Sequence, residues 1–186
     1  MEEFITVKEN IEVEFIEKKS KFITNIIHVE DVECVYKYIK KINEKYSDAT
    51  HNCFAYRVID SNTLNEKASD DGEPSGTAGV PILNILQKNN LINVLIIVTR
   101  YFGGIMLGAG GLIRAYSEGA KQAVEKSEKI KKVIGEEIEA ILNYKEFEKF
   151  KYSCQLLQIN INEVKYSENI VCKIELQDIK KERLMK

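Results

Sequence analysis

Three of the four arginines in this chain, Arg57, Arg100 and Arg114, lie in or near the stretch that holds both prolines and nine of the ten glycines. Elsewhere the chain uses lysine almost throughout. Arginine offers a rigid fork of donors that matches phosphate or carboxylate, so its placement here points to a geometric need. The stretch opens with Ser69-Asp70-Asp71-Gly72-Glu73-Pro74-Ser75-Gly76-Thr77-Ala78-Gly79. It resumes at Thr99-Arg100-Tyr101-Phe102-Gly103-Gly104 and runs on through Gly108, Gly110, Gly111 and Arg114.

Two chemistries suit these residues. In the first, a buried strand passes through a glycine-rich turn into a helix, whose first N–H groups and positive dipole end face an anion. Arg100 and Arg114 flank that turn, and Tyr101 and Phe102 beside it supply rings for stacking on nucleobases. In the second, Asp70, Asp71 and Glu73 hold a magnesium ion or supply an acid–base pair, with Ser75 and Thr77 nearby. A plainer account competes with both. The acidic trio forms a capped loop salt-bridged to the arginines, and the rings, Phe102 above all, pack into the core.

Other motifs carry less. Gly108-Ala109-Gly110-Gly111-Leu112-Ile113 ends on isoleucine where a dinucleotide fingerprint needs its last glycine. No lysine and hydroxyl pair completes a nucleotide P-loop after Gly103. His51 and Cys53, two apart on a strand, share one face. They are the residue types of a Cys–His nucleophile pair. Nothing local activates the thiol, and its apolar neighbours favour an inert one. His28 is the only other histidine, so a zinc site lacks ligands. Lys18, Lys19 and Lys21 make a short basic patch on a turn. No metal and no cofactor is expected.

The elements that position these groups follow from periodicity. Ile11, Val13 and Phe15 alternate with glutamates as a half-exposed strand. A second strand covers 22–29, and Asp31 caps an amphipathic helix over 31–45. Residues 52–59 and 92–99 are strands, the latter central. The stretch 60–76 reads as a loop. A helix over 80–87 takes Ser75 or Thr77 as its cap and carries Pro81 in its first turn. Residues 112–126 form a helix whose Ala115, Gly119 and Ala123 recur every four, which lets it lie close to a sheet. The polar stretch 127–132 is a linker. Beyond it come a strand (134–144), a helix (145–158), a hairpin (159–166 and 169–177) and the start of a helix at 178–186. That order is most of a ferredoxin-like domain.

Composition sets the outer limits. The chain has 186 residues, a net charge of −2 and 44% hydrophobic content, which suits one medium domain or two small ones. The near-neutral charge announces no nucleic-acid binder, although binding depends on a patch and not on a sum. The four cysteines are scattered without a CxxC pair, as expected for reduced thiols in a cytosol. No apolar run is long enough to span a bilayer, and the N-terminus lacks a signal-peptide core. The expectation is a cytoplasmic protein with no membrane partner.

The motif-bearing stretches resemble those of the IMPACT family, in its bacterial YigZ-like branch. Besides the two blocks above, Leu107-Gly108-Ala109-Gly110-Gly111-Leu112-Ile113-Arg114-Ala115-Tyr116 matches. So do Lys19-Ser20-Lys21-Phe22-Ile23 and Ala49-Thr50-His51-Asn52-Cys53-Phe54-Ala55-Tyr56-Arg57. The likeness spans about residues 10–126. It implies an α+β protein of two domains. Residues 1–126 would be an α/β sandwich like domain IV of elongation factor G. Residues 133–186 would be a shortened ferredoxin-like domain like that factor's domain V. Bacterial members complete a second helix and a final strand, so this domain is expected to be incomplete here, open-edged or closed by another chain.

The resemblance also implies translation as the theme. Eukaryotic members interfere with activation of a stress-responsive kinase, partly through an additional N-terminal domain with no counterpart in these motifs. That role is not carried over. The leading expectation is a non-enzymatic protein that binds RNA, the ribosome or a protein of the translation machinery. Its surface would comprise Lys19, Lys21, His51, Arg57, Arg100, Tyr101, Arg114 and the glycines at 103, 104, 108, 110 and 111. The alternative is a small-molecule phosphate-binding or phosphoryl-transfer enzyme that uses the glycine-rich helix start and the acidic loop.

Overall fold

The computed structural model describes residues 3–61, 63–133 and 135–176. It is a mixed α+β chain that divides into two compact units, Phe4–Lys131 and Lys132 onward.

The first unit is built on a five-stranded antiparallel sheet in the order β2-β3-β6-β4-β5. Its strands are β2 (Ile11–Glu17), β3 (Ser20–His28), β4 (His51–Asp60), β5 (Thr63–Ser69) and β6 (Val94–Tyr101). The central strand β6 is buried on both faces. Val94, Ile96 and Val98 face one core, and Leu95 and Ile97 face the other. That is why its sequence is a continuous apolar run instead of an alternation.

Helices α2 (Gly79–Lys88) and α3 (Gly108–Lys126) cover the first face. Helix α1 (Val32–Lys45) covers the second through Val35 and Ile42. Asp31 caps α1, its side chain accepting from the Cys34 N–H. Helix α3 lies close to the sheet at Gly119, where an added Cβ would stand 2.7 Å from the Thr24 hydroxyl.

Four expectations need correction. The stretch 60–76 is not all loop, because β5 occupies Thr63–Ser69 as an edge strand against β4. An edge strand with one exposed face needs little apolar content, so TLNEKAS carries no periodic signal. The stretch 127–132 is not a linker. It contains most of β7 (Lys129–Val133), which pairs with β1 (Glu3–Val7), a strand that periodicity missed. Neither Ser75 nor Thr77 caps α2. The Thr77 hydroxyl donates to the Pro74 carbonyl, and Asp70 takes the capping role from outside the helix. Finally, α3 begins at Gly108, so Gly110 and Gly111 belong to its first turn and not to the connection before it.

The second unit contains β8 (Glu136–Leu142), α4 (Tyr144–Leu156), β9 (Ile161–Tyr166) and β10 (Ile170–Leu176). Its antiparallel sheet runs β8-β10-β9, so the hairpin's second strand inserts beside the first strand of the unit. Asn143 and Glu146 form a reciprocal cap at the start of α4. Phe147 and Cys154 of α4 pack over Cys172 and Ile174 of β10. The helix read over 178–186, and with it the expected truncation of this domain, lies outside the described residues.

Candidate functional site

The two glycine-rich blocks meet at one end of the first unit. Across the sheet, Phe22, Arg100 and His51 stand side by side, because Phe22 pairs with Arg100 and Arg100 with His51. All three lie on the face that α2 and α3 cover. The acidic loop brings Glu73 against that row and α3 brings Tyr116.

Arg100 is 5% exposed and Glu73 8%. The Arg100 Nη1 donates to Glu73 Oε1 at 2.6 Å, and the Tyr116 hydroxyl donates to the same oxygen at 2.8 Å. Arg100 Nη2 donates more weakly to the Ser20 hydroxyl at 3.4 Å. Its Nε has no partner among the described residues. The guanidinium lies between two rings, 5.7 Å from the Phe22 centroid and 5.5 Å from that of Phe102. Burial pushes the Tyr116 hydroxyl far up in pKa, so it stays protonated and donates.

A cavity of about 320 Å³ opens over this cluster. His51, Glu73 and Arg100 form its polar part. Phe102, Met106, Leu107, Leu112 and Pro74 form its apolar walls, and Gly108 and Ala109 bring in the start of α3. That helix has no side-chain cap and no acidic residue in its first turn. Phe102 is 49% exposed and Met106 86%. Placing Phe102 in the core was the wrong expectation. Its own face of the strand end carries Arg100 beneath it, so the ring lies on the guanidinium and keeps an edge in solvent.

The acidic trio is committed elsewhere. Asp70 is the pivot of its loop. Its Oδ1 accepts from the N–H groups of Ala78 and Gly79, and its Oδ2 from that of Gly76. Burial opposes its charge, but these three donors outweigh it and lower the pKa. Asp71 accepts from the Asn52 N–H through Oδ2. Glu73 neutralises Arg100. Among the described residues no group of three or more His, Cys, Asp or Glu is arranged to hold a metal ion. Ser75 is exposed on the loop.

The remaining candidates scatter. Arg57 lies six residues along β4 from His51, about 20 Å at the rise of a strand. There it is ion-paired to Glu66 and donates to the Leu91 carbonyl. Arg114 is exposed, has no ion-pair or hydrogen-bond partner among the described residues, and lines a different cavity of about 490 Å³ with Phe15, Lys18 and Ile85. Arg100 and Arg114 therefore do not converge on one cavity. Lys21 is paired with Glu14. The Tyr101 hydroxyl donates to Asp48 at 2.7 Å, and that hydrogen bond raises its pKa to about 12. Cys53 is fully buried, and loss of water pushes its thiol up to about 12, which removes it as a nucleophile.

The glycines divide by role. A Cβ on Gly103 would stand 2.0 Å from the Lys19 carbonyl, so only glycine lets the β2–β3 hairpin lie against the loop. The Ser20 hydroxyl accepts from the Gly103 N–H and ties the two together. Gly104 and Gly108 have positive φ and open space around them, and Gly111 sits on Leu107. Thr50, Met106 and Tyr116 are the site residues that sequence reasoning missed, and none carried a signal of its own. Phe102 was read two ways, as a stacking ring and as a core ring, and its exposure favours the first.

The residues that build this cavity all lie within the part of the chain that comparison with known proteins accounts for. The Impact N-terminal domain matches residues 18–124. The IMPACT family member YvyE of Bacillus subtilis is 41% identical over 167 residues, which cover 90% of this chain and 76% of that protein. An IMPACT family member of Haemophilus influenzae is 36% identical, covering 91% of this chain and 83% of that one. A crystal structure described only as a hypothetical protein superposes with a TM-score of 0.73 at 29% identity, over 99% of this chain and 90% of the other. With the domain matched from the β2–β3 hairpin to the last turns of α3, and a relative aligned beyond it into the second unit, this chain belongs to the IMPACT family.

Proposed function

We propose that the chain is a non-enzymatic, RNA- or ribosome-associated regulator of translation, and that the cavity over Glu73 and Arg100 is its contact site. Family membership supports the theme. The finer likeness of its units to domains IV and V of elongation factor G, with a ferredoxin-like second domain, is part of the same proposal. One observation carries the site. Phe102 is a half-exposed ring whose inner side lies on a buried guanidinium, at the mouth of a cavity that also holds the uncapped start of a 19-residue helix. A ring to stack on and free N–H groups for phosphate are the two needs of single-stranded RNA binding. Exposed Arg114 and the Lys18–Lys19 turn add positive charge outside the cavity. A phosphoryl-transfer enzyme is disfavoured because Asp70, Asp71 and Glu73 are occupied by backbone donors and Arg100.

Fluorescence anisotropy with single-stranded RNA tests the proposal. Affinity is expected to fall steeply as salt rises. Phe102→Ala should weaken binding by about ten- to a hundredfold, the cost of losing one stacking partner. Arg114→Ala should reduce the salt slope by about one. Binding that ignores salt and survives both substitutions would overturn the proposal.

A further inference from the structure

Two hydrogen-bond acceptors, on Glu73 and His51, lie close together in the lining of the cavity. Glu73 Oε1 is saturated by Arg100 and Tyr116. Glu73 Oε2 has no hydrogen-bond donor among the described residues, and His51 Nε2 lies 3.9 Å from it. His51 Nδ1 lies 2.7 Å from the Asp71 carbonyl oxygen. A carbonyl only accepts, so Nδ1 carries the hydrogen, and in the neutral ring Nε2 is an acceptor. Glu73 is 97% buried at its side chain, but its Oε2, unlike Arg100 Nε, is not sealed off from the cavity, so a donor entering there can reach it.

Two acceptors 3.9 Å apart are within reach of one nitrogen at an ordinary hydrogen-bond length of about 2.9 Å. That nitrogen must bring two hydrogens. A neutral amino group does so. An ammonium would too, but Arg100 already neutralises Glu73 and its guanidinium repels a second cation. A carbonyl group would set oxygen against oxygen. The walls favour a flat ring beside Phe102, and about 320 Å³ is at the small end of ligand cavities, which run from about 300 to 1,000 Å³. Gly108 and Ala109 at the start of α3 are placed for a phosphate on the same ligand.

We infer that the cavity takes a nucleobase bearing an exocyclic amino group, which donates to Glu73 Oε2 and His51 Nε2 while the ring lies against Phe102. The inference rests on the RNA-binding proposal and adds base selectivity to it. Cytosine and adenine fit. Uracil and hypoxanthine, which carry a carbonyl at the corresponding position, do not.

Binding of oligocytidylate and oligouridylate of equal length to the full chain tests this, since the two bases match in size and differ at that group. Oligocytidylate is expected to bind at least tenfold tighter, and oligoadenylate tighter than oligoinosinate. His51→Ala should bring the cytidine-to-uridine ratio to within about twofold while leaving a salt-dependent component. Glu73→Gln is the second variant, with circular dichroism to verify its fold. It replaces half of the carboxylate by a donor and should favour uridine. Equal, salt-dependent binding of both oligomers overturns the selectivity and leaves the RNA proposal standing. No binding of either, and none of cytidine monophosphate, overturns both. Selective binding of cytidine monophosphate with no gain from the oligomer supports the base site and overturns the RNA source.

Discussion

Arg100 is the residue whose meaning changes most between sequence and structure. Its type and position among glycines suggested a phosphate ligand, but its charge is used internally by Glu73. Removing one partner of a buried pair leaves the other uncompensated, at about 3–5 kcal/mol. Arg100→Ala should therefore lower stability by that amount in chemical denaturation. The double replacement Arg100→Met with Glu73→Leu should recover much of it. Loss of RNA binding in Arg100→Ala alone would then report unfolding, which makes Arg114 and Phe102 the informative positions. Asp70 is a second residue of this kind. Its three backbone N–H donors predict a loss of about 1–3 kcal/mol in Asp70→Ala at neutral pH. The sign with pH follows from its lowered pKa. The contribution is complete above the unfolded value of 3.8 and drains away as pH falls through the lower folded value. Thermal melts of the two proteins should therefore converge only in strong acid.

At the scale of elements, the β2–β3 hairpin is built against local preference. Lys18 and Lys19 form its two-residue turn with φ of +44° and +65°, where asparagine and glycine are the favoured pair. The left-handed region costs a side-chain-bearing residue about 1–2 kcal/mol. Lys18→Asn with Lys19→Gly should raise stability by roughly that amount, a few degrees in Tm for a chain of this size. If the lysines serve RNA, the same change should weaken binding, and the two readouts separate strain from charge. The elements legible in the sequence were those with a continuous or alternating apolar signature, such as β6, α1 and α3. Strands β5 and β7 were not legible. TLNEKAS and KIKKV have their partners on one side only and contain no buried residue, so nothing in their composition sets them apart from loop. The capping of α2 was hidden for a different reason. Asp70 lies eight residues before Ala78, and only the intervening turn brings its carboxylate back to the helix.

At the scale of the molecule, the two units differ in how much they bury. The first has a core on each sheet face, with twenty residues in the larger cluster. Among the described residues, the second has clusters of four and three buried residues beside α4. Small cores give low local stability. Native-state hydrogen exchange should accordingly show β8, β9 and β10 exchanging well before β6. The candidate site was legible as a neighbourhood, because the glycines and arginines marked both loops. Its working parts were not. Whether Arg100 faced a ligand or Glu73 depended on the pairing of His51 with Arg100 across β4 and β6, which is set by sheet register and leaves no local trace. Phe102 follows the same rule, since its exposure results from what lies beneath it.

The ribbon of β1 and β7 has a consequence of its own. Lys8 and Glu128 are joined by a backbone hydrogen bond and an ion pair, and Ile92 donates from its backbone to the Ile5 carbonyl. The first unit therefore receives and releases the chain at adjacent points, like a bead threaded through one hole. Such a unit transplants readily. Spliced at these points into a surface loop of an unrelated carrier, it should fold without prising the host apart.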